Sequence, residues 1–90
     1  MDVALVGLVL AGVENLSLAV LSDAVERAGM ESTIVSLSGW GDIDAATGAV
    51  LRRRPRVCGI SIQTGESALA SLAFSRVLRA RGYAGTIVSG

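Results

Sequence analysis

Residues 57–90 constrain the fold more than any other part of the chain, because they predict two strands joined by one long helix. Residues 57–62 are nearly all apolar, as in a strand that is covered on both faces, and the polar run 63–66 follows. A helix then opens at Ser67, and residues 86–89 form the next strand. Ligands of parallel sheets bind at the carboxyl ends of strands, so Ser61, Gln63, Thr64 and Ser89 are candidate binding residues.

The preceding residues repeat the same alternation of strand and helix. Residues 2–9 and 33–37 are rich in Val, Leu and Ile and predict two further strands. Glu14 or Asn15 is expected to cap a first helix that Gly29 ends, and Asp42 is expected to cap a second helix that ends before Pro55. In the first helix an inward stripe is expected, made of Leu18, Leu21, Val25 and Ala28.

The third helix is expected to be mostly covered. Its polar residues Ser71, Ser75 and Arg79 follow a helical spacing and predict a narrow polar ridge. Apolar residues, Leu69 and Leu72 among them, fill the rest of its circumference. Gly82 is expected to end it.

Strands that alternate with helices over short loops predict an α/β fold with a parallel sheet and right-handed crossovers. We expect a three-layer, flavodoxin-like, Rossmann-like domain over residues 1–90 with strand order 2-1-3-4, so that the loops after strands 1 and 3 face each other. Such domains usually have a fifth strand and a last helix, and neither is present here. We therefore expect an incomplete domain whose strand 4 is an unpaired edge, open to association.

Composition excludes several functional classes. The net charge is zero from eight basic and eight acidic residues, which is not typical of a nucleic-acid binder, and the cluster of Arg52, Arg53, Arg54 and Arg56 is interpreted as a solvated helix end. There is no His, and the single Cys58 lies in an apolar strand, so neither a zinc site nor a Ser-His-Asp triad is expected. No secretory signal or membrane-spanning run is recognised, so we expect a cytoplasmic chain with no membrane role.

Three segments carry a resemblance to a known family. They are Glu-Asn-Leu-Ser-Leu at 14–18, Gly-Ile-Ser-Ile-Gln-Thr-Gly-Glu-Ser-Ala-Leu at 59–69, and Leu-Arg-Ala-Arg-Gly-Tyr at 78–83 before Ile-Val-Ser-Gly at 87–90. In this order and spacing they resemble the N-terminal cobalamin (B12)-binding domains of B12-dependent radical SAM enzymes. The resemblance covers nearly the whole chain and implies that it binds cobalamin.

The chain departs from the broader cobalamin-binding family in its first loop. That family carries Asp-x-His-x-x-Gly there, and its His binds cobalt, whereas residues 8–13 read Leu-Val-Leu-Ala-Gly-Val. The resemblance therefore implies cobalamin held base-off, without a His ligand and without a metal-ligating residue from this chain. The family's Ser-x-Leu after strand 3 appears as Ser61-Ile62-Gln63, with the first position kept and the third replaced.

The resemblance also implies which residues would meet the cofactor. Ser61, Ser89 and Gly90 would line the slot for its nucleotide tail, because small residues let the backbone approach closely. The corrin ring would lie against Leu10, Gly12, Glu14, Asn15, Gln63, Thr64 and Gly65. S-adenosylmethionine and a 4Fe-4S cluster would belong to a radical SAM domain in cis or in trans, since one Cys cannot supply the cluster's Cys-x-x-x-Cys-x-x-Cys ligands.

Two other classes compete with this interpretation. A receiver-like phosphoacceptor domain needs clustered acids after strands 1 and 3, where Val9, Leu10 and Ile62 stand instead. A cofactor-free flavodoxin-like scaffold or interaction domain remains open. In that case Ser61 and Thr64 would only cap local backbone groups.

Overall fold

The computed structural model describes residues 1–8, 16–37, 40–62 and 65–90. Strands and helices alternate along them in the predicted sequence of elements. The elements are β1 (Val3–Leu8), α1 (Leu16–Arg27), β2 (Ser32–Leu37), a short 3₁₀ turn (Trp40–Asp42), α2 (Ile43–Arg53), β3 (Val57–Ser61), α3 (Gly65–Ala80) and β4 (Thr86–Ser89).

The four strands form one parallel sheet in the order β2-β1-β3-β4, which confirms the predicted flavodoxin-like arrangement. Val3 of β1 pairs with Ser32 of β2 on one side and with Val57 of β3 on the other. Val57 in turn pairs with Thr86, so β4 is an edge strand of the described sheet, as expected.

The main core lies between one face of the sheet and helices α2 and α3. Ala4, Val6, Cys58 and Ile60 alternate along β1 and β3 and therefore share this face. They form one buried cluster with helix residues that include Val50, Phe74 and Leu78. Helix α1 packs on β1 and β2 and buries Leu18 with Leu5, both of which lie outside that cluster.

Glycines end two of the helices, as predicted. Gly29 after α1 and Gly82 after α3 have φ values of 83° and 98°, in the left-handed region that favours glycine. The N–H of the following residue donates back to a carbonyl five residues earlier, from Met30 to Val25 and from Tyr83 to Leu78. These bonds are typical of the Schellman motif, which satisfies carbonyls at a helix end.

Burial differs from the expectation at three elements. β3 is covered on one face only, because Cys58 and Ile60 are buried whereas Val57, Gly59 and Ser61 are half-buried. The polar-ridge interpretation of α3 is wrong: Ser71 is buried, while Leu69 and Leu72 are 61% and 53% exposed. In α1, Leu21 is 47% exposed, and Ala28, the first residue after this helix, is exposed as well. The half-burial of Val57, Gly59 and Ser61 and the exposure of Leu21 have one cause, which is that no described element covers β3 and β4 on the α1 side.

Candidate functional site

The carboxyl edge of the sheet brings together three of the candidate residues, Ser61, Ser89 and Gly90. Ile60 pairs with Ser89, the Ile62 N–H donates to the Gly90 carbonyl at 2.9 Å, and the Gly90 N–H donates to the Ile60 carbonyl at 3.1 Å. Ser61 and Gly90 are therefore neighbours across the β3–β4 pair. Their position at the carboxyl edge is therefore as expected, while their contact with a ligand stays a prediction.

An open groove runs along the sheet from this edge, on the face that carries α1. We call it the sheet groove; its volume is about 350 Å³. Its walls are almost entirely apolar, and small residues lie at its carboxyl end. It is lined by Val3, Leu5, Leu18, Leu21, Val57, Gly59, Ile60, Ser61, Val88, Ser89 and Gly90.

Gly59 gives the sheet groove part of its depth. A Cβ atom at this position would lie 3.2 Å from Leu5 Cδ2, closer than ordinary van der Waals contact. Any larger side chain at residue 59 would therefore crowd Leu5 and fill the space beside it. A glycine inside a strand often marks a place where a ligand or another backbone approaches closely.

The side chain of Ser89 lies on the opposite face of β4 from that of Val88, because side chains alternate along a strand. With Ser71, Ser75 and Leu72 it lines a separate hollow of about 250 Å³ on the α3 side. The Ser75 hydroxyl there donates to the Ser71 carbonyl at 2.8 Å. Ser61 and Ser89 thus share the edge of the sheet, but their side chains lie on opposite faces.

Leu10, Gly12, Glu14, Asn15, Gln63 and Thr64 lie outside the described residues, and Gly65 is the first residue of α3. That the loops after strands 1 and 3 face each other stays a prediction. The contacts of these residues with a corrin ring stay a prediction as well.

The lone thiol lies away from the sheet groove. Cys58 is fully buried in the α2–α3 core, as predicted, and burial raises its pKa to about 11. A thiol with so high a pKa is a weak nucleophile and a poor metal ligand at neutral pH. Among the described residues, no three His, Cys, Asp or Glu side chains are grouped so that they could hold a metal ion.

Sequence reasoning did not identify several residues of the groove, namely Val3, Leu5, Leu21, Val57, Gly59 and Val88. Gly59 was the available signal, because a glycine destabilises the interior of a strand and often marks a place where a ligand or another backbone approaches closely. The apolar residues offered none, because a buried core residue and the wall of an open groove look the same in a sequence.

Comparisons with protein-family models, with curated proteins and with solved structures gave no match. Within the part of the chain that the structure describes, no helix is long and apolar enough to cross a membrane. Function is therefore inferred from the sheet groove and from the residues at its carboxyl end.

Proposed function

We propose that the chain is a cobalamin-binding module of the type found in B12-dependent radical SAM enzymes. The observation that carries the proposal is the sheet groove, with glycine at its floor and Ser61 and Gly90 at its carboxyl end. The family resemblance assigns Ser61 and Gly90 to the slot for the nucleotide tail.

The shape and chemistry of the groove fit that tail. Its volume of about 350 Å³ is near the lower end of the range for small-molecule sites, about 300–1,000 Å³, and suits a flat two-ring base better than a corrin macrocycle. The apolar walls would take up the aromatic base. Ser61 and the backbone groups near Gly90 would offer hydrogen-bond partners to the sugar and phosphate.

In this proposal the chain's own role is to hold and orient cobalamin. Because the sequence has no His and no Lys, no imidazole or amine side chain can bind cobalt from below, and base-off binding without a His ligand is expected. Bound cobalamin would supply the methyl-transfer or radical chemistry, whereas the protein sets its position and surroundings. S-adenosylmethionine and the iron–sulfur cluster belong, in this proposal, to a radical SAM domain in cis or in trans.

A cofactor-free scaffold is the second candidate, and a specific observation favours it. Val88 in the groove and Leu69 and Leu72 on α3 are all more than half exposed, as expected of surfaces that another protein segment covers. A helix packed along the sheet groove would bury Val88 and Leu21 without any cofactor.

Titration with hydroxocobalamin, followed by difference absorbance, separates the two candidates. Ser61→Leu and Gly59→Val should fill the groove and weaken binding at least tenfold, while circular dichroism stays unchanged. Gly48→Ala is the matched control, because nothing lies within 4 Å of a Cβ at this position in α2. The proposal fails if the unaltered chain causes no spectral change, or if the two groove variants bind as well as the control.

Electron paramagnetic resonance of the cob(II)alamin complex tests the mode of binding. We expect no nitrogen hyperfine splitting from an axial base. A clear three-line nitrogen pattern would contradict base-off binding without a nitrogen ligand.

A further inference from the structure

A second groove lies at the opposite end of the sheet. We call it the arginine groove; its volume is about 520 Å³, and Leu51, Arg54, Pro55, Arg81 and residues 82–85 line it. Pro55 and Gly85 come just before β3 and β4, so the groove lies at the amino edge of the parallel sheet. It is therefore remote from Ser61, and nothing in the proposed cobalamin site uses it.

The net charge is zero, but the arginines and the acidic residues are concentrated in different halves of the sequence. Residues 45–90 contain seven arginines and one acid, Glu66, whereas residues 1–44 contain seven acids and one arginine, Arg27. The fold brings the carboxyl ends of α2 and α3 together around the arginine groove, so that Arg54 and Arg81 line the same hollow. This end of the molecule is therefore strongly cationic.

Some of the nearby arginines have internal partners. Arg56 pairs with Asp2, and the pKa of Asp2 is held low by the Glu31 N–H and by this guanidinium. Arg79 donates to the carbonyls of Tyr83 and Gly85 at 2.9 and 2.7 Å.

The other arginines at this end are differently placed. Arg52, Arg53, Arg54 and Arg81 are exposed, and none of them forms an ion pair with another residue that the structure describes. They are available to an external ligand.

The helix dipole accounts for only part of this charge. The carboxyl end of a helix carries about half a negative charge, so two carboxyl ends amount to about one. Arg52, Arg53, Arg54 and Arg81 alone supply four positive charges. The excess indicates an anionic ligand rather than simple stabilisation of helix ends.

The character of the groove narrows the class of ligand. A compact phosphate prefers helix amino ends, whereas this groove is flanked by the carbonyls of two carboxyl ends. Single-stranded nucleic acid commonly stacks its bases on exposed aromatic rings, but the Tyr83 ring in this groove is buried, with Arg79 over it at 5.6 Å. Leu51, Pro55 and Ala84 add apolar lining, which suits a peptide with an apolar side chain between carboxylates.

We propose that the arginine groove binds an acidic segment of a partner protein. The carboxylates of that segment meet Arg54 and Arg81, and an apolar side chain lies against Leu51 and Pro55. Interfaces commonly combine an apolar centre with a charged rim in this way.

Fluorescence anisotropy of the full chain tests the proposal, with a labelled short peptide that alternates glutamate and leucine as the probe. We expect binding at about 50 mM salt that weakens strongly at about 500 mM, and no binding of the matching lysine–leucine peptide. The double variant Arg54→Gly, Arg81→Gln should bind about tenfold more weakly. Gly suits the left-handed backbone of residue 54, so this variant is expected to fold, which circular dichroism checks.

Arg27→Gln is the charge control, because Arg27 is in α1 and pairs with Asp23 at 3.0 Å. Its affinity should stay within twofold of the unaltered chain. The proposal is overturned if the glutamate–leucine peptide does not bind, if Arg27→Gln weakens binding as much as the groove variant, or if a single-stranded oligonucleotide binds more tightly than the peptide. None of these results depends on cobalamin binding.

Discussion

At the scale of single residues, the connection that leads into β4 depends on one glycine, Gly85. Tyr83 is buried, and its hydroxyl donates to the Pro55 carbonyl at 2.9 Å. A Cβ atom at Gly85 would collide with the Tyr83 ring end and lie 2.9 Å from the Arg56 carbonyl. The connection into β4 therefore needs a residue without a side chain.

Gly85→Ala should lower the free energy of unfolding by about 2–3 kcal/mol, because Tyr83 must shift and leave the buried Pro55 carbonyl without its donor. Urea denaturation followed by circular dichroism measures this change. Gly48→Ala in α2 is the control and should raise stability by about 0.5–1 kcal/mol, since a helix interior favours alanine. Equal effects of the two substitutions would contradict the role assigned to Gly85.

Cys58 makes stability depend on alkaline pH. Its pKa is raised by burial from 9.0 to about 11, so well below pH 9 the thiol is protonated in both the folded and the unfolded chain. Between pH 9 and 11 the unfolded chain loses the proton first, and the free energy of unfolding should fall by about 1 kcal/mol per pH unit. Burial also raises the pKa of Tyr83, which adds to the loss at higher pH.

Urea denaturation at several pH values measures this slope. Cys58→Ala lowers stability at every pH through lost packing, but its slope between pH 9 and 10 should be nearly flat. An unchanged slope in that variant would assign the pH dependence to another group.

At the scale of elements, α2 ends differently from α1 and α3. Arg54 has a φ of 48°, and its N–H donates to the Val50 carbonyl at 3.1 Å, so an arginine occupies the left-handed position where the other two helices have glycine. A residue with a Cβ pays about 1–2 kcal/mol for this conformation. The sequence has no signal for it, since a run of arginines is also compatible with a regular helix end.

Arg54→Gly should therefore raise the free energy of unfolding by about 0.5–1 kcal/mol, and with it the melting temperature. This value allows for the greater conformational freedom of glycine in the unfolded chain. Arg53→Gly is the matched control, since residue 53 is helical, and it should lower stability by up to about 1 kcal/mol. A loss of stability in both variants would show that Arg54 contributes more through its side chain than its backbone conformation costs.

At the scale of the whole molecule, apolar surface is unevenly covered. The described chain measures 32 × 30 × 19 Å, with α2 and α3 on one face of the sheet and only α1 on the other. Val88 on the edge strand β4 is 54% exposed beside the open groove. An apolar edge strand of this type is a surface for association.

We expect the chain to self-associate through β4 at high concentration, which sedimentation velocity measures as a rise in the sedimentation coefficient. Val88→Lys should keep the chain monomeric, because a charge on an edge strand opposes pairing. Ile34→Lys on the opposite edge strand β2 is the control and should associate like the unaltered chain. If the unaltered chain stays monomeric at all concentrations, association through β4 is contradicted, and the apolar edge and groove remain exposed to water.

Regular local patterns predicted most of the fold. The order of the elements, the parallel sheet and the glycine ends of α1 and α3 follow from short runs of apolar residues and their breakers, because these preferences act within a few residues. The burial of Cys58 was predicted for the same reason. At the candidate site, the sequence correctly predicted that Ser61 and Ser89 lie at the carboxyl edge of the sheet.

Only the tertiary structure decided which of these surfaces are covered. Periodicity predicts the apolar stripe of a helix or strand, but burial depends on which other elements pack against it, and this explains the exposed Leu72 and the open groove over Gly59. The arginine groove has the same origin, because Arg54 and Arg81 are far apart in sequence and meet only where two helices end side by side. Local patterns determined the elements of this protein, and the packing of those elements determined its grooves.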